Sequence, residues 1–86
     1  MQECNKKIIL KALAKTVKRL HNGKSTYNHS LEYGLTYSVL YKIEKGEKNP
    51  QLTTLFELAN SFEMRISEFI KEIEKDLPDN FTISDY

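Results

Sequence analysis

Ser25-Thr26-Tyr27-Asn28-His29-Ser30-Leu31-Glu32-Tyr33-Gly34-Leu35-Thr36-Tyr37-Ser38-Val39-Leu40-Tyr41-Lys42-Ile43-Glu44 is the stretch on which the fold turns. Ser25 or Thr26 can cap a short helix that ends at Tyr33-Gly34, where glycine supplies the left-handed closing residue. After a tight turn, Thr36 can cap a second helix, Tyr37 to Lys45, which Gly46 ends. Leu35, Leu40 and Ile43 face a core. Tyr37, Ser38, Tyr41 and Lys42 remain outward, as two pairs spaced i, i+4.

Upstream, Lys7 to His21 reads as a helix. Ile9, Leu13, Val17 and Leu20 make its apolar stripe, and Lys7, Lys11, Lys15 and Lys18 occupy another face. Asn22-Gly23 stops it. Downstream, Glu47-Lys48-Asn49 forms a loop, and Pro50 leads into a helix over roughly Leu52 to Phe62. Ser67 is the expected cap of a last helix, Glu68 to about Asp76, with Phe69, Ile70 and Ile73 inward. Pro78 closes it. The spacing thus predicts five short helices in one all-α domain over 1–78. A tail over 79–86 keeps Phe81, Ile83 and Tyr86 apolar, which favours packing over exposure.

The 86-residue length leaves room for one core. Apolar residues are 40% and charged residues 29%, too apolar for a disordered chain. The longest apolar run, Ile8-Ile9-Leu10, is far short of the roughly 20 residues that a membrane span needs. No signal-peptide core follows the first residues, so the expected compartment is the cytoplasm, with nucleoid association. Cys4 is the one cysteine and has no partner for an internal disulfide. The sequons at Asn28 and Asn80 then carry no meaning.

The net charge of +1 conceals a separation. Residues 1–49 carry ten Lys/Arg and four Asp/Glu, and residues 50–86 carry three and eight. A basic half suits an anionic partner, although scattered charge on solvated helices would give the same count. His21 and His29 lack the cysteines or acidic pair of a metal site, so no metal and no cofactor are expected. There is no Gly-rich phosphate loop, nucleophile elbow or paired carboxylate in an apolar setting, and the chain is not expected to be an enzyme.

A short helix, a glycine turn and a capped second helix form the helix-turn-helix pattern, whose second helix can present donors and acceptors to a major groove. Gly34-Leu35-Thr36 and Leu40-Tyr41-Lys42-Ile43-Glu44-Lys45-Gly46 resemble the Cro/lambda-repressor-type helix-turn-helix family, the XRE family. So do Asn49-Pro50, Thr54-Leu55, Leu58-Ala59 and Ile66-Ser67-Glu68-Phe69. The resemblance covers roughly residues 13–73.

It implies a five-helix, lambda-repressor-like domain that binds double-stranded DNA, usually as a homodimer. Base reading then falls on Tyr37, Ser38, Tyr41 and Lys42, although all four would also serve as ordinary solvent-facing residues. Phosphate contacts fall on Lys24 and Thr26, at the start of the second helix, and on Lys48 and Asn49. Of the first-helix lysines, one or two lie near phosphates and the rest form a solvated face.

Several positions depart from the family. Thr26 stands where Gln is usual, His29-Ser30 where Leu-Ala is usual, and the segment from Leu20 to Thr26 is about two residues short. His29 is expected half-buried. His21 falls where an arginine usually pairs with the glutamate here numbered Glu44, and a neighbouring carboxylate favours the imidazolium. The last helix and tail, through Phe69, Ile73, Phe81, Ile83 and Tyr86, are the expected dimer interface. A transcriptional regulator follows, equally a phage-type repressor, a restriction-modification controller or an antitoxin-like autoregulator. The alternative is a protein-interaction module that keeps the fold without binding DNA.

Overall fold

The computed structural model describes residues 3–21, 36–79 and 81. Among these are four helices and no strand: α1 (Glu3–Leu20), α2 (Tyr37–Glu44), α3 (Leu52–Ser61) and α4 (Ile66–Lys75). They correspond to the expected first, third, fourth and fifth helices. The expected second helix, with its caps Ser25 and Thr26 and with Lys24, His29 and Gly34, lies outside the described residues.

α1 packs on both α2 and α4, and α3 packs on α4. Leu13 and Val17 enter the core as the stripe requires, joined by Leu40 and Ile43 from α2, Leu58 and Ala59 from α3, and Phe69 and Ile73 from α4. α1 begins four residues earlier than expected. It also buries a wider face, taking in Ala12, Ala14 and Thr16, because two helices press on it from different sides.

Thr16 is the polar member of that face. Its hydroxyl lies 2.6 Å from Asp76 Oδ2 and 2.9 Å from the Ala12 carbonyl oxygen. Arg19, one turn on, donates to Glu72 Oε1 at 2.8 Å, to the Glu72 carbonyl at 3.2 Å and to Asp76 Oδ2 at 3.0 Å. A guanidinium on the last carbonyls of a helix satisfies acceptors that have no partner within it. Burial works to raise the Asp76 carboxyl. The Thr16 hydroxyl and the Arg19 guanidinium outweigh it, with help from the charge of Lys15, and hold it below the usual carboxylate value.

The capping differs from the sequence reading. Thr36 does precede α2, and its carbonyl accepts the Leu40 N–H at 3.1 Å, but its hydroxyl makes no cap bond. The cap of α4 is Arg65, not Ser67. Arg65 has the extended backbone that a cap needs, φ −71° and ψ 152°, and its carbonyl accepts the Phe69 N–H at 3.0 Å. Glu68 reaches back to accept the Arg65 N–H at 3.0 Å. Ser67 therefore lies inside the first turn. Ile70, expected inward, is 39% exposed, because Phe69 and Ile73 define the buried line and Ile70 is turned about 100° from Phe69.

Two helices end in the same way. After α2, Gly46 N–H bonds Ile43 O at 3.0 Å and Glu47 N–H bonds Lys42 O at 3.0 Å, a Schellman pair with Gly46 at φ 75°. After α3, Glu63 N–H bonds Asn60 O at 2.9 Å and Met64 N–H bonds Ala59 O at 3.0 Å, with Glu63 itself at φ 57°. A Cβ on Gly46 would meet the Leu10 carbonyl at 3.9 Å, ordinary contact, so dihedral strain alone penalises substitution there. Gly46→Ala is expected to lose about 1–2 kcal/mol of stability in urea denaturation. An unchanged midpoint would mean that the left-handed turn is not held in solution.

Candidate nucleic-acid interface

α2 is fixed from behind. Leu40 and Ile43 are fully buried, and Glu44 is buried at its end. Helical periodicity then forces the opposite side outward, and Tyr37, Ser38, Tyr41 and Lys42 are all exposed. Tyr37 and Tyr41 are 45% and 42% exposed, side by side on the outer face of the helix. Their rings stack one turn apart, with centroids 5.8 Å apart and planes at 26°.

Lys45 extends this strip. Its Nζ sits 4.8 Å from the centre of the Tyr41 ring, within cation–π range. Contact with the Tyr41 side chain, ahead of the charge on Glu47, holds the ammonium above its usual value. In the sequence Lys45 stands out as the last residue of its helix and as part of the segment that resembles the family, not as part of this strip. Its position one turn after Tyr41 was the available signal.

His21 lies at the end of α1 with Nδ1 3.4 Å from Glu44 Oε1, and both side chains are buried. The contact joins the end of α1 to the end of α2, and it is an ion pair when the imidazole is protonated. The His21 ring also packs at 5.9 Å against Phe62.

Lys48 and Asn49 lie in the loop that Gly46 opens, before α3, with Asn49 exposed and Lys48 partly so. Lys24 and Thr26 are outside the described residues. Of the expected dimer residues, Phe69 is 0% exposed and Ile73 9%. Both pack in the domain's own core and leave little surface for other contacts. Phe81 is half-buried in a groove with Ile9, Pro50, Leu55, Ile70 and Leu77, while Ile83 and Tyr86 are outside the described residues. Among the described residues, the large hydrophobic side chains exposed apart from Tyr37 and Tyr41 are Leu52 and Phe56 on α3 and Ile70 on α4.

Among the described residues, no three His, Cys, Asp or Glu side chains come together as a metal would need. No helix among them is long and apolar enough to cross a membrane. The family model described as Helix-turn-helix matches residues 16–69, well over half of the chain. The chain belongs to the Cro/C1-type helix-turn-helix family. Members of this helix-turn-helix family are DNA-binding regulators and not enzymes. No curated protein and no solved structure matches the chain. Leu40 and Ile43 hold α2 so that its outer strip stands clear of the other described helices.

Proposed function

We propose that this helix-turn-helix chain is a sequence-specific, double-stranded DNA-binding regulator of transcription in the cytoplasm. In this reading the domain over 1–78 has five helices and α2 enters the major groove. The carrying observation is the exposed strip Tyr37, Ser38, Tyr41 and Lys42 on a helix whose other side is locked into the core. A major groove admits one helix. Lysine, serine and tyrosine can hydrogen-bond base edges there, and tyrosine rings can lie against thymine methyls. Lys48 and Asn49, with Lys24 and Thr26, serve the phosphates, which set register without reading sequence. The role is that of a repressor, a restriction-modification controller or an antitoxin-like autoregulator.

The test separates reading from holding. A duplex is selected by the wild-type chain from a random-sequence pool. Lys42→Ala and Ser38→Ala should each cost roughly 1–3 kcal/mol on that duplex and alter which base pairs are preferred. Lys48→Ala should weaken all sequences about equally. Unaltered preferences in both reading variants would remove α2 from the groove.

A homodimer fits this reading, with the two reading helices roughly 34 Å apart. With Phe69 and Ile73 used internally, its supports are Ile70, Leu52 and Phe56, together with Phe81, Ile83 and Tyr86 of the tail. Removing 79–86 should raise the dimer dissociation constant and, by linkage, weaken DNA binding. A shortened chain that sediments as an unchanged dimer would exclude the tail from the interface.

A further inference from the structure

We propose a second DNA-contacting surface on α1, formed by Lys11, Lys15 and Lys18 with Lys45, that grips phosphates beyond the base pairs read by α2. The inference rests on the duplex-binding reading and extends it to residues outside the reading strip and the Lys48 loop.

Lys11, Lys15 and Lys18 follow one another at i, i+4 and i+7, and all are exposed. They line a groove of about 530 Å³ whose opposite wall is Lys45 and Gly46 at the end of α2. Ala12, Ala14 and Gly46 line it too, and their small side chains leave room for a bulky group to approach. Three carboxylates also border the groove, Glu44, Glu47 and Asp76. Glu44 lies against His21, and Asp76 is engaged by Thr16 and Arg19. Glu47 remains, beside Lys45. Among the described residues none of the three α1 lysines forms an ion pair. Four ammonium groups thus line one concave surface against three carboxylates; Lys15 acts on Asp76 and Glu47 on Lys45 only through charge, and the cations outnumber the anions by one.

Continuity with the reading strip assigns the partner. Lys45 belongs to both surfaces, lying over the Tyr41 ring and forming the groove's wall. A duplex seated on Tyr37, Ser38, Tyr41 and Lys42 therefore reaches the groove without a gap. From Lys11 to Lys18 the helix rises about 10 Å, the axial length of about three base pairs at 3.4 Å each. The donors are all exposed, flexible lysines. That suits the sequence-independent neutralisation of a backbone better than the fixed recognition of a small anion, which favours pre-organised forks such as arginine.

The experiment measures binding of the full chain and its variants to the selected duplex, by fluorescence anisotropy across a salt series. Each phosphate neutralised contributes roughly −0.9 to the slope of log K against log salt. In the combined variant Lys11→Gln, Lys15→Gln, Lys18→Gln, the slope should shrink by about 2–3 per bound protomer, with base preference unchanged. Each single substitution should remove about 0.9, which covers the case of a combined variant that folds poorly. Glutamine matches lysine closely in helix propensity, and helical content is checked by circular dichroism. Lys71→Gln, on α4 outside the groove, should leave the slope unchanged. A wild-type slope retained by the single and combined variants overturns this inference alone. A wild-type chain that selects no duplex overturns the DNA reading and this inference together.

Discussion

Raising the salt from 50 to 200 mM is expected to weaken binding of the proposed dimer to its selected duplex by roughly 10²- to 10⁵-fold. Lys48, Lys24 and some of the α1 lysines in each protomer correspond to a slope of about −4 to −8 in log K against log salt. Over a fourfold change in salt, a slope in that range spans that loss of affinity. A groove that engages Lys11, Lys15 and Lys18 moves the value toward the steep end. Counterion release is set by the number of phosphates covered, so the slope counts contacts without reference to sequence. It also discriminates between functions. The net charge of +1 gives the molecule no strong overall field, so a steep slope requires its cations to meet the duplex on one surface. A slope near zero would favour the protein-interaction module over the DNA-binding regulator.

Phe69→Ala is expected to cost about 3–5 kcal/mol in urea denaturation, the range for emptying a buried aromatic site. Phe69 has no exposed surface. Its ring stacks on Phe62 at 6.1 Å with planes at 21°, and it belongs to the cluster that includes Val17, Leu40 and Leu58. Removing it leaves a hole where α1, α3 and α4 meet, and small domains hold only about 5–15 kcal/mol in total. Phe69→Leu, which keeps most of the volume, should cost less than about half as much. A loss below 1 kcal/mol for the alanine variant would mean that α4 does not close the core in solution.

α2 was legible because three independent signals agree on it. Leu40 and Ile43 at i, i+3 set its buried side, Gly46 sets its end, and the leftover polar and aromatic positions set its outer face. Where only one signal existed, the reading slipped. Ser67 outranks arginine as a cap by chemistry, but Glu68 closing back onto the Arg65 N–H moved the start of α4 upstream. The end of α3, expected at about Phe62, does fall there, although Glu63 adopts the left-handed backbone without being glycine. Phe69 and Ile73 looked available for a dimer because periodicity finds an apolar face without saying which neighbour covers it. The Thr16–Asp76 hydrogen bond joins residues sixty apart. Neither local pattern nor composition couples such positions, so the polar clamp between α1 and α4 emerges only in three dimensions. The lysine groove is similar: the α1 face was plain in the sequence, but its meeting with Lys45 was not.

The stacked Tyr37 and Tyr41 rings, with Lys45 above the second, bear on the entropy of docking. A rotamer-rich side chain immobilised at an interface loses roughly 0.5–1.5 kcal/mol of freedom. Rings already in register along a rigid helix have less of that freedom left to surrender. In the proposed DNA-reading role, the strip would meet the duplex as a preformed aromatic ridge, and a wrong sequence would be rejected by its misfit to that ridge. Discrimination of this kind resides in the shape of the unbound protein.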